Sequence, residues 1–197
     1  MSVTTATHLI EPHGGKLVDR TGPRPDGVER LEQLELTSRE LSDLDMLASG
    51  ALSPLEGFMA QHDYERVVDE LRLANGLPWA LPVCLAVDRE PAGDQVALTD
   101  GAGRPLAVLD VEGAYEYDRE READRCFRTT DDAHPGVKRL YDQKPLYLAG
   151  RVTVFERVEP PFPELVIDTE EVEPEAAAAM VVAKLEELGL VPAQVTA

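Results

Sequence analysis

With 197 residues, 43% of them hydrophobic, the chain can bury one ordinary core and little more. A formal charge of −19 argues against nucleic-acid and anionic-membrane partners, which need clustered Lys and Arg to displace counterions. Cys84 and Cys126 lie far apart and suit the reduced thiols of a cytoplasmic protein, and neither a basic-then-apolar leader nor a run of about 18 apolar residues is visible.

Residues 1–29 are rich in Pro, Gly and Thr and predict an extended arm leading into a domain. Within it His13-Gly14-Gly15-Lys16 has the wrong spacing for a phosphate loop, and Leu17 stands where the loop's hydroxyl would be, so it reads as a turn. Thr37 with Glu40 forms a capping box, Leu41, Leu44 and Leu47 share a helix face, and Gly50 stops that helix. The next stretch carries the candidate site residues Ser53, Pro54, Leu55, Gly57, Phe58 and Met59. Ser53-Pro54 breaks the chain, Gly57 allows an unusual backbone angle, and Phe58-Met59 supplies a buried plug.

A second helix is expected from Asp63, as cap, to about Leu73, with Tyr64, Val67, Val68 and Leu71 inward and Asn75-Gly76 as its end. Strands follow at Trp79–Val87 behind Pro82, at Val96–Leu98 and at Leu106–Leu109, the last two flanking the turn Asp100–Gly103. Tyr115–Arg128 alternates in charge, and Asp118, Arg119, Glu120, Arg121 and Glu122 read as a solvated helix face. His134-Pro135 opens a short turn or helix with Val137, Leu140 and Tyr141 inward. Leu146–Phe155 is the clearest strand, with Gly150 as a bulge, and is expected to close a barrel.

Residues 159–163, Glu-Pro-Pro-Phe-Pro, predict a linker. Beyond it Leu165–Ile167 suggests a short strand, and Pro174 opens a helix with Ala177, Val181, Leu185 and Leu188 on one face and Gly189 as its stop. Such a helix should dock on the preceding domain, pair between chains or stay mobile, and weak docking is the expectation.

The run Leu47 to Met59 resembles the LxxGxxSPLxGFM segment of ATP sulfurylases, the sulfate adenylyltransferases. The similarity continues through Ile10–Leu17, Leu36–Leu41, Arg72–Gly76, His134–Val137 and Leu148–Val152, covering residues 8–158. It implies an α+β fold in which a PUA-like β-barrel or curled sheet carries flanking helices, followed by a short C-terminal strand and helix. Residues 1–158 would be this N-terminal domain and 164–197 a tail with no domain of its own. Pro163–Thr169 and the helix to Leu190 are similar to the C-terminal end of adenylylsulfate kinases.

The family's Q-x-R-N-P-x-H-x-x-H run is absent, as is the kinase P-loop, and His8, His13, His62 and His134 are scattered without ligand partners. No catalytic, cofactor-binding or metal residue is therefore assigned, no cofactor is expected, and enzyme activity is left open with the balance against it. The expected role is a non-catalytic PUA-like domain in sulfate assimilation, truncated by loss of the catalytic parts. Its expected partners are an ATP sulfurylase catalytic domain or a second copy of itself. An active sulfate adenylyltransferase with an unrecognised site and an RNA-binding PUA module stand as alternatives, and internal deletion and an evolved short protein both account for the join near residue 163.

Overall fold

The computed structural model describes residues 10–157 and 173–187. Cα packing divides the chain into two units, residues 1–158 and 159–197.

The first unit is built on one open six-stranded sheet. Its strands are β1 (Glu32–Glu35), β2 (Gly57–Phe58), β3 (Leu85–Val87), β4 (Gln95–Thr99), β5 (Pro105–Glu116) and β6 (Leu146–Val154). They run in the order β1-β4-β5-β6-β2, with β3 also pairing β6. The anticipated barrel does not close: β6 lies inside the sheet and bonds three strands, where a closing strand would join two edges. The β4–β5 hairpin forms as its turn signal predicts. Asp100 fixes it by accepting the amides of Ala102 at 3.0 Å and Arg104 at 2.9 Å and the Arg104 Nε–H at 2.8 Å. These bonds, those from Arg104 foremost, hold the Asp100 carboxyl below its usual range.

The bulge falls in β5, not at Gly150. Val111 faces Gly150 and Gly113 faces Ala149, so Glu112 is the extra residue with no partner opposite. Gly150 is instead required by close packing, since a Cβ there would run into the Asp110 carbonyl of the neighbouring strand. The strand expected over Trp79–Val87 is confined to β3, whereas β5 runs on through Tyr115, a residue assigned in sequence to the charged helix.

Helix α1 (Ser38–Ser49) forms for the reasons read from its ends: Thr37 and Glu40 make the reciprocal capping box, and Gly50 ends the helix at φ 78°. Leu44 and Leu47 of α1 are fully buried against the sheet, with Leu41 beside them. Helix α2 (Gln61–Glu70) starts three residues earlier than the cap at Asp63 predicts, with Ala60 in the capping position. Asp63 is used differently: its Oδ1 accepts the Ala74 N–H at 2.6 Å and clasps the turn after the helix. Leu71 does not join Tyr64, Val67 and Val68 in the core, because it terminates α2 in the left-handed region at φ 56° and is exposed.

Helix α3 (Arg119–Glu122) passes into a π-helical turn over Ala123–Phe127, and α4 (Pro135–Asp142) starts at His134, whose side chain accepts the Gly136 N–H. Ala123 packs with Val137 and Leu140 in a small satellite core. The main core lies between the sheet and helices α1 and α2, while Ala97 of β4 and Val108 of β5 meet Val28 of the 3-10 turn Val28–Arg30 in a lesser cluster. Both cysteines are free. Of the expected arm, the described residues 10–29 turn at 13–16 and 26–27 and enter a 3-10 turn at Val28, and between them Thr21 bridges Val154.

The second unit is represented by α5 (Pro174–Glu187), which begins at the predicted proline. The expected linker at 159–163, the strand at Leu165–Ile167, Leu188 and the stop at Gly189 fall outside the described residues. Among the described residues no helix is long and apolar enough to cross a membrane.

Candidate functional site

Of the stretch Ser53 to Met59, Pro54 to Met59 form the wall of a cleft of about 350 Å³, and Ser53 stands just outside its lining. Each residue of the run has an identifiable task. Ser53 is buried, and its Oγ accepts the Val18 N–H at 2.9 Å while donating to the Gly50 carbonyl at 2.6 Å, joining the arm to the end of α1. The Ser53–Pro54 peptide is cis. Leu55 is buried, and the carbonyl of Glu56 receives the Val152 N–H of β6 at 3.0 Å.

Gly57 does not need an unusual angle, since its φ is not positive. It is needed because β2 lies so close to β6 that a Cβ would enter the Gly150 carbonyl oxygen and stand 2.8 Å from the Arg151 Cα. Phe58 and Met59 are each 3% exposed, which confirms the buried plug. The Met59 amide donates to the Val83 carbonyl at 3.0 Å, and its own carbonyl accepts the Tyr115 hydroxyl at 2.9 Å.

Across the cleft stand His62, Asp63, Asn75, Glu112 and Arg151. The β5 bulge turns Glu112 out of the ladder, and Arg151 Nε lies 3.6 Å from its Oε1. His62 Nε2 lies 3.5 Å from Asp63 Oδ2. The cleft thus presents one guanidinium, already facing a carboxylate, and a histidine beside an aspartate. Among the described residues no group of three His, Cys, Asp or Glu side chains is placed to hold a metal ion. His13 is absent from the cleft: it bonds the Pro78 carbonyl and leans on Trp79, as a turn packed on its own domain should.

A buried polar cluster escaped the sequence reading. Glu122, assigned to a solvated face, is 6% exposed. Its Oε2 accepts the hydroxyls of Tyr64 at 3.0 Å and Tyr147 at 3.1 Å, and Tyr117 stacks on Tyr147 at 3.7 Å between centroids. Burial pushes the Glu122 carboxyl above its ordinary range despite these two donors, and raises the Tyr64 and Tyr147 phenols as well. Burial also raises the Cys84 thiol and pushes Cys126 up to about 11. One signal was available: Glu122 precedes Cys126 by four residues and so shares its helix face.

Comparison with known proteins agrees with this fold. Residues 10–157 match the family model of a PUA-like domain. The sulfate adenylyltransferase of Symbiobacterium thermophilum is 52% identical over 166 residues, covering 79% of this chain and 42% of that protein. That of Synechocystis sp. is 44% identical over 178 residues, covering 84% of this chain and 46% of the relative. The chain therefore spans less than half the length of these relatives. Among solved structures, a hexameric APS kinase from Thiobacillus denitrificans superposes with a TM-score of 0.57 at 27% identity, over 89% of this chain and 32% of that one. By its matched domain and its relatives, the chain belongs to the PUA-like domain family, in the form carried by sulfate adenylyltransferases.

Proposed function

We propose that these residues are a non-catalytic PUA-like domain of sulfate activation, and that the Ser53–Met59 cleft is the face it offers to an adenylyltransferase catalytic domain. The observation that carries this reading is electrostatic. Transfer of an adenylyl group to sulfate needs several cationic donors around phosphate and sulfate oxygens. The cleft has Arg151, and Glu112 stands 3.6 Å from it.

The test is pyrophosphate-dependent ATP formation from adenylylsulfate by the purified chain, with a full-length sulfate adenylyltransferase as positive control. No turnover is expected from a sample whose circular dichroism shows it folded, together with capture of a separately expressed catalytic domain. Arg151→Glu should weaken that capture. Robust turnover would overturn the reading in favour of an active enzyme.

On the same reading residues 159–163 act as linker and 164–197 as tail. The free thiols of Cys84 and Cys126 support a reducing, cytoplasmic setting. The likeness to a hexameric APS kinase supports self-association, which sedimentation velocity measures directly.

A further inference from the structure

A second cavity, of about 380 Å³, is separate in its lining from the Ser53–Met59 cleft. Three segments build it: the first turn of α1, β3 with the residue before it, and the end of α4 with the loop into β6. Each of the two helical segments contributes a cation, Arg39 and Arg139, and the loop adds Lys144.

These cations are poorly satisfied within the chain. Arg66, Arg89 and Arg104 close on carboxylates at 2.6, 2.6 and 2.8 Å, the range of charge-assisted hydrogen bonds. Arg39 Nε stands 3.7 Å from Asp43, and Lys144 Nζ stands 3.8 Å from Asp88. Arg139 has no ion pair among the described residues, in a sequence with 38 acidic side chains and 19 basic ones. Glu40 also borders the cavity, but its oxygens are committed to the amide and hydroxyl of Thr37 and to the Ala86 amide. Asp142 is the remaining carboxylate of the lining. Cys84 and Ala86 give the cavity an apolar floor, and Ser38 and Gln143 supply neutral hydrogen-bonding groups.

We propose that this cavity binds a small organic dianion, a phosphomonoester or dicarboxylate, with its charged end held by Arg139, Arg39 and Lys144 and its carbon body on Cys84 and Ala86. The volume suits a metabolite-sized ligand and not a macromolecule. Two cations with loose partners and one with none are the donors such a ligand completes. The site is independent of the adenylyltransferase reading, since it shares no residue with the cleft.

The experiment is amide chemical-shift titration of the full chain with inorganic phosphate and, in parallel, with succinate, each against sodium chloride at equal ionic strength. Saturable shifts at Ala86, Gln143 and Lys144 are expected with at least one probe, and the probe that saturates tells phosphate from carboxylate preference. Arg139→Gln, on an exposed side chain, should weaken binding about tenfold while the remaining spectrum is unchanged, and Arg139→Lys should restore part of it. Absence of saturable shifts with both probes, or equal affinity in Arg139→Gln, would overturn the proposal.

Discussion

Gly57 lies against the Gly150 carbonyl one step out of register in the β2–β6 ladder: Gly57 pairs with Arg151 and Phe58 with Gly150, and a Cβ on Gly57 would collide with that carbonyl oxygen. The contact brings the Ser53–Met59 run against β6 and sets one wall of the cleft. Gly57→Ala should therefore cost about 1–3 kcal/mol, the range of overpacking, because the obstacle is backbone and cannot rotate away. Urea unfolding measures it. Gly93→Ala is the control, since the nearest atom to its Cβ is 3.6 Å away, and should stay within about 0.5 kcal/mol of the parent.

Ser53→Ala should be nearly as damaging without adding any bulk. It leaves the Val18 N–H without its acceptor and removes a donor from the Gly50 carbonyl, both next to a buried position. The expected loss is about 1–3 kcal/mol. Hydrogen exchange should show it first at Val18, where the arm joins α1.

Glu122 gives the fold a pH dependence of definite sign. Its carboxyl is raised in the folded state, chiefly by burial, so the native protein binds more protons than the unfolded chain between the ordinary carboxylate range and the raised value. The stability this group contributes is complete below the ordinary range and is lost as pH rises through the folded value. Glu122→Gln keeps an acceptor for Tyr64 and Tyr147 but cannot ionise. Its unfolding midpoint should fall less between pH 4.5 and 7.5 than that of the parent, and an equal fall in both proteins would remove Glu122 from the account.

The two thiols should be slow. With Cys126 pushed up to about 11, its thiolate at pH 8 is scarcer than that of a free cysteine by roughly a hundredfold, and Cys84 is raised as well. Ellman-type labelling should be slow in the native chain and rapid in urea. Fast native labelling of either would show that the core around Tyr115 opens readily.

Local chemistry made part of this fold legible. The Thr37–Glu40 box, the Gly50 stop, the Asp100 turn and the Pro135 helix start each depend on neighbours within four residues, and each appears where the sequence places it. The failures share a cause as well. Gly57 and Gly150 are explained by the strand beside them, Glu122 by two tyrosines 58 and 25 residues away, and Leu71 by a turn that Asp63 closes. The cleft was legible as a motif, through Ser53 to Met59, but not as a shape, because Glu112 reaches it through a bulge that no local signal announces and Arg151 through the pairing of β6 with β2.

The position of β6 in the sheet also constrains how the protein is made. It pairs with Gly57–Phe58, with Leu85–Val87 and with β5, yet it is the last strand of the sheet to leave the ribosome. At bacterial and eukaryotic elongation speeds of about 5–20 residues per second, roughly 5–20 s separate synthesis of Phe58 from that of its partner Gly150. Until β6 is made, Phe58 and Met59, and Leu85 once it follows them, belong to a nascent chain without the strand they pair with or pack beside.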